Sequence, residues 1–315
     1  MNLLLLFILG GIWGTSFMFI KVIVSEVPPM TLVAGRLGIA AIVMWSIIRI
    51  RGLRVPRDRR LWQTFAVLGL LNGALPFSLI SWGEQYIPSG LAALYQSMTP
   101  IFTILFAHVL TADEHITPKK MAGVLLGFTG VGLLMLPELR GGLRASVWGQ
   151  LAMVAATISY ACATIFARSR LKGQPPLISA AGQFAMGFAY ILPMSLLIER
   201  PFHISPSWQA IGSWVALAVF GTAIAYSIYF FLLRRTSATF VAMTTYIVPI
   251  NGLILGALIL HETVSPTLLI SLALILSGVL LVRQREYKGS EPDVIEEVAP
   301  ATDSPTQAKS RRVSA

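Results

Sequence analysis

The sequence predicts an all-α polytopic membrane protein: ten transmembrane helices arranged as two inverted five-helix repeats. Three observations carry this expectation. The 315 residues are 55% hydrophobic and only 12% charged, about half the roughly 25% charge of an ordinary soluble domain. The apolar residues come in long unbroken runs, which argues against a barrel of alternating strands. A set of residues recurs about 148 positions further on, across several runs. Mean hydropathy is +0.73, so a soluble enzyme or soluble binding module is not expected.

A membrane helix needs about 20 mostly apolar residues. Ten runs meet that length, at roughly 2–24, 30–50, 62–83, 88–111, 119–137, 147–168, 177–198, 210–232, 237–260 and 267–283. The first lacks a basic leader and a small-residue cleavage site, so it reads as a span rather than a signal peptide. The connections are short, as between neighbouring helices of a bundle. Pro76, Pro100, Pro193 and Pro249 interrupt the third, fourth, seventh and ninth spans. Each removes a backbone hydrogen bond and permits a kink. Pro100 and Pro249 occupy matching positions and are candidate hinges.

The net charge of +10 invites a nucleic-acid partner, and its distribution argues against one. With the N-terminus inside, one side holds Arg49, Arg51, Arg54, Arg57, Arg59, Arg60, Lys119, Lys120, Arg168, Arg170, Lys172, Arg234, Arg235, Arg283, Arg285 and Lys288. The other side holds Arg140, Arg144 and Arg200. This is the positive-inside bias of a membrane protein with both termini cytoplasmic. The partners it predicts are anionic lipid headgroups and no nucleic acid. The single cysteine, Cys162, excludes an intrachain disulfide, and the four scattered histidines form no metal-ligand pair. No metal or cofactor is expected. Residues 284–315 are rich in Pro, Ser, Glu and Asp and read as a disordered cytoplasmic tail.

The repeat sets the architecture. Pro28-Pro29 through Gly35-Arg36 recurs as Pro175-Pro176 through Gly182-Gln183, and Trp13, Phe19 and Lys21 align with Tyr160, Phe166 and Arg168. Pro100, Glu114, Pro118 and Gly130 align with Pro249, Glu262, Pro266 and Gly278. The units are therefore 1–137 and 147–283. Five spans is an odd number, so the second unit enters the membrane from the opposite side, the plan of many secondary transporters.

The Trp13-Gly14-Thr15-Ser16-Phe17 start, Arg36, Pro100, Glu114, and Gly123, Gly127 and Gly130, echoed by Pro249, Glu262 and Gly278, carry a resemblance. The chain resembles the drug/metabolite transporter superfamily, with two EamA units over about 3–283, and is most similar to bacterial amino-acid and metabolite exporters. The resemblance implies a central cavity lined by spans 1, 3, 4, 6, 8 and 9. It also implies an inner-membrane exporter of small metabolites. Gln183 stands where symmetry with Arg36 expects arginine, so the two halves differ there.

The candidate cavity residues are Trp13 and Ser16 of span 1, Asn72, Ser78 and Trp82 of span 3, and Tyr95, Gln96 and Thr99 of span 4. Span 6 adds Thr157, Tyr160 and Thr164; span 8 adds Thr222, Tyr226 and Tyr229; span 9 adds Thr245, Tyr246 and Asn251. The alternative for each is interhelical packing. As a set they describe an aromatic, hydroxylated, largely uncharged cavity suited to small amphiphiles with an apolar side chain, amino acids among them. Lys21 and Arg36 either contact a charged substrate or act structurally, by snorkelling or, for Arg36, by pairing with Glu26 or Glu84. No Asp or Glu falls in the middle of a span, so transport is expected to follow the substrate gradient or to couple to protons only weakly. Glu114 and Glu262 are expected at opposite faces, each capping the helix that follows or pairing with a loop cation. A membrane-embedded enzyme would show ionisable clusters at one face, and none is found. A multidrug or other metabolite carrier, or a lipid-handling protein, would share this plan.

Overall fold

The computed structural model describes residues 1–110, 116–140, 144–171, 173–236, 240–241 and 243–283. Glu114 and the tail 284–315 lie outside these residues. Every regular element described is helical. The chain builds α1 (Asn2–Val24), α2 (Pro29–Ile50), α3 (Arg59–Gly83), α4 (Ser89–Leu110), α5 (Pro118–Arg140), α6 (Ala145–Arg170), α7 (Pro176–Glu199), α8 (208–235), α9 (Thr244–Ile259) and α10 (Pro266–Arg283). The first eight contain stretches long and apolar enough to cross a membrane; α9 and α10 are apolar but shorter. At 16 residues, α9 rises about 24 Å, against a hydrocarbon core of about 30 Å. The molecule is a multi-pass helical membrane protein.

Among the described residues three helices carry a π turn: Leu70–Ala74 in α3, Ser195–Glu199 in α7 and Val219–Ile224 in α8. A π turn widens the helix and turns backbone carbonyls away from their usual partners. One is used at once: the Leu71 carbonyl accepts from Ser159 Oγ of α6 at 2.7 Å. The prolines act differently from one another. Pro100 lies in the first turn of the second segment of α4, which begins at Thr99 after a break at Ser97–Met98, whereas Pro249 lies inside α9 without ending it.

The strongest pairings are α5 with α10, α2 with α7, α1 with α9, α3 with α6, α4 with α9, α3 with α7, α4 with α6 and α1 with α8. Small residues set several of them, because backbones approach closely only where no side chain intervenes. A Cβ on Gly69 of α3 would stand 2.6 Å from the Gln183 carbonyl oxygen and 2.7 Å from the Gly187 nitrogen of α7. A Cβ on Gly123 of α5 would stand 2.6 Å from the Gly278 oxygen of α10, and one on Gly83 of α3 2.9 Å from the Gly149 oxygen of α6. The outward faces are apolar too: Leu4, Phe7, Ile42, Leu125 and Leu258 are exposed, as expected of surfaces that meet lipid.

One end of the bundle is tied by carboxylates that reach across to another helix. Pro28 and Pro88 are the N-caps of α2 and α4 and offer no side-chain oxygen. Their orphan amides are met from far along the chain. Glu199 accepts from the Met30 and Thr31 amides at 2.9 and 2.7 Å, and from Thr31 Oγ1 at 2.7 Å. Glu262 accepts from the Ser89 and Gly90 amides at 2.7 and 3.0 Å. Glu26 accepts from the amide and hydroxyl of Ser207, the N-cap of α8, at 2.6 and 2.7 Å. Each satisfies helix-terminal donors and complements the helix dipole. Glu262 thus caps α4 rather than α10, the helix that follows it.

Candidate functional site

The middle of the bundle holds a buried guanidinium. Arg36 of α2 is 5% exposed. Its Nε donates to Thr222 Oγ1 in the π turn of α8 at 3.0 Å, and its Cζ stands 3.9 Å from the centroid of the Phe77 ring. The second contact is a cation–π interaction, stronger away from water than at an exposed site. Among the described residues no acidic side chain forms an ion pair with Arg36.

Aromatic rings surround this group. Phe77 packs edge-on against Tyr160 at 6.4 Å and tilted against Phe184 at 6.4 Å. Phe184 meets Tyr226 edge-on at 4.9 Å. Trp13 lies 5.8 Å from both Tyr226 and Tyr229, which stand 6.1 Å apart. Such tilted and edge-on pairs are favourable ring geometries. Asn72, in the π turn of α3, donates to Gln183 Oε1 at 2.9 Å and hydrogen-bonds Tyr226. Ser16 donates to its own helix at the Ile12 carbonyl, 3.0 Å away. A Cβ on Gly221 would stand 2.8 Å from its hydroxyl, so α1 and α8 touch here.

The structure therefore brings Trp13, Ser16, Arg36, Asn72, Tyr160, Thr222, Tyr226 and Tyr229 together. It places other candidates elsewhere. Tyr95 is fully buried between α4 and α6 and donates to Gln150 Oε1 at 2.6 Å. Gln96 and Thr99 meet each other across the break in α4. Trp82 is 37% exposed and packs on Tyr86. Thr164 is exposed and donates to the Tyr160 carbonyl. Thr245 and Tyr246 are half-buried at the start of α9, and Asn251 donates to the Gly11 carbonyl at 3.2 Å. Phe77 and Phe184 belong to this polar-aromatic interior yet carry no polar or periodic signal that separates them from packing residues.

Lys21 acts as a structural tie. Its Nζ donates to the carbonyls of Glu84 and Ile87 at 2.5 and 2.9 Å, joining α1 to the connection between α3 and α4. A cavity of about 350 Å³ lies at this end against Lys21, Ser25, Glu26, Gln209 and Glu262. A second, of about 490 Å³, is lined by Asp58, Gln63, Thr64, Phe166, Arg170 and Gln174, where α3 and α7 begin and α6 ends. Among the described residues no three His, Cys, Asp or Glu side chains cluster to hold a metal.

A helical membrane bundle with a polar-aromatic centre and recesses toward its ends is built like a membrane transporter. The model of the EamA-like transporter family matches residues 1–136 and again 147–284, and the chain belongs to that family. It is 27% identical over 283 residues to the uncharacterized inner membrane transporter YedA of Escherichia coli K12, covering 90% of each chain. It is 23% identical over 270 residues to the uncharacterized transporter YoaV of Bacillus subtilis, covering 86% of this chain and 92% of that one. One crystal structure shares the fold with a TM-score of 0.65 at 21% identity, covering 90% of this chain and 96% of the other.

Proposed function

We propose that this transporter is a bacterial inner-membrane secondary carrier that exports small amphiphilic metabolites bearing a carboxylate and an apolar side chain, amino acids among them. The observation that carries the reading is Arg36: a buried guanidinium held by Thr222 and Phe77, with Tyr160 and Tyr226 nearby, which Glu84 faces without forming an ion pair among the described residues. A substrate carboxylate supplies the missing charge, and the rings of Trp13, Tyr226 and Tyr229 offer an apolar face with polar edges.

The carrier works by alternating access of two inverted repeats, 1–137 and 147–283. The helix pairings support this. Exchanging each helix for the one five places away turns α1–α9 into α6–α4, α3–α6 into α8–α1 and α3–α7 into α8–α2, all of which occur, and leaves α2–α7, α4–α9 and α5–α10 unchanged. The two family matches and the π turns of α3 and α8, about 149 residues apart, support it as well. The tied end is periplasmic and both termini are cytoplasmic, by the asymmetry of Lys and Arg. The membrane partners are lipids.

Counterflow in proteoliposomes tests the substrate class with phenylalanine or tyrosine and the corresponding amines that lack the carboxylate. Arg36→Gln should cut carriage of the amino acid about tenfold to hundredfold, the worth of one charge-assisted hydrogen bond, and leave any carriage of the amine unchanged. An equal loss for both, in folded protein, would remove Arg36 from the substrate site.

A further inference from the structure

Glu84 is a carboxylate out of place. It follows the last residue of α3, in the short connection to α4, a position that ordinarily faces water. Instead it is wholly buried, and among the described residues neither carboxylate oxygen has a hydrogen-bond partner. Three other glutamates at this end, Glu26, Glu199 and Glu262, each accept two or three hydrogen bonds. Glu84 is therefore not a fourth tie.

The charged groups facing it are Lys21 from α1, Arg36 from α2 and Glu262 from the connection between α9 and α10. Each is engaged elsewhere. The Lys21 ammonium is spent on two backbone carbonyls, one of them that of Glu84 itself. Arg36 is held by Thr222 and Phe77, and Glu262 by two helix amides. An ionised carboxylate buried without a partner is very costly, whereas the neutral acid is not. Burial accordingly holds the Glu84 carboxyl well above the ordinary carboxylate range, with Glu262 raising it further and the two cations opposing.

We propose that Glu84 is a proton-binding site coupled to opening of the tied end: it carries a proton while this end is closed and gives it to water when the end opens. The 350 Å³ cavity does not touch Glu84 itself but is lined by Lys21 and Glu262, two of the groups that face it, and it is the route for that proton once the end opens. Opening hydrates the carboxylate and frees the Lys21 ammonium to pair with it, so the open state is favoured by rising pH. The inference rests on the alternating-access reading above, and it replaces the weak proton coupling expected from the sequence.

The test is cysteine accessibility in the full chain, reconstituted, in a Cys162→Ala, His261→Asn background. The second change removes an imidazole at the same end. Ser89→Cys reports opening, because Ser89 is fully buried. Ser25→Cys, which is exposed, corrects for thiol ionisation at each pH. The corrected labelling rate of Ser89→Cys should rise with pH, by at most about tenfold per unit for one proton. Glu84→Gln, a mimic of the protonated acid, should hold it low and flat. The same pH profile in Glu84→Gln overturns the proton site while leaving alternating access intact. Absence of Ser89→Cys labelling at every pH overturns the opening itself, and the proton site with it. If Glu84→Gln does not fold, Glu84→Asp decides: a displaced profile supports the site and an identical one overturns it.

Discussion

Arg36 and Glu84 are both buried, and the bundle treats them differently. The guanidinium has a hydroxyl and a ring, whereas the carboxylate has nothing but three charges committed elsewhere. The tyrosines divide the same way. Tyr95 spends its hydroxyl on Gln150, so Tyr95→Phe leaves a buried amide oxygen without a donor. That change should cost about 1–3 kcal/mol of stability, read as a lower melting temperature, with little effect on substrate affinity in protein that folds. Tyr226 stands in the ring cluster beside Arg36, so Tyr226→Phe should instead weaken substrate binding by roughly threefold to tenfold, measured by counterflow. Leu133→Ala, on the lipid-facing side of α5, should do far less to either. Glu26 shows how pH acts on a tie. Hydrogen bonds from Ser207 hold its carboxyl below the ordinary range. Its contribution is therefore present above that range and lost as pH falls through it, and Glu26→Gln should flatten any acid-side decline in the melting temperature.

At the scale of elements, the close helix pairs depend on glycine for clearance rather than for conformation. Gly69→Val in α3 would drive a branched side chain into the backbone of α7, 2.6 Å from the Gln183 oxygen even at Cβ. It should abolish monodisperse protein in detergent, whereas Gly132→Val, where nothing lies within 4 Å, should leave the elution profile unchanged. The helices themselves were legible from the apolar runs, because membrane length and hydrophobicity are properties of the local sequence. The π turns were not, since five residues such as Leu70–Ala74 carry no composition of their own. The site was legible in part for the same reason. Trp13, Asn72, Tyr226 and Arg36 stand out as polar or aromatic residues within apolar helices. Phe77 and Phe184 do not, because an apolar ring looks the same whether it meets a guanidinium or lipid. Glu84 was legible only as an outer-end acid that could pair with Arg36, since its burial depends on α1 and on the α9–α10 connection, both distant in sequence.

The whole molecule has two ends that differ. Cysteines placed at Arg54 and at Ser205 should react with impermeant reagents from opposite sides of intact cells, Ser205 from outside. Reaction of both from one side would overturn the proposed topology. The ends also differ in what it takes to part them. At one end, carboxylates from residues 26, 199 and 262 join segments of one half to helices of the other through seven hydrogen bonds. In an alternating carrier such bonds would bias the equilibrium between the two faces even where the halves are alike. On the alternating access proposed above, the resting population is expected with this end shut, and release of these clasps is the expected slow step of each turnover. The machine would then run at different speeds in its two directions while obeying the same thermodynamic balance, a kinetic diode assembled from three side chains that never touch the cargo.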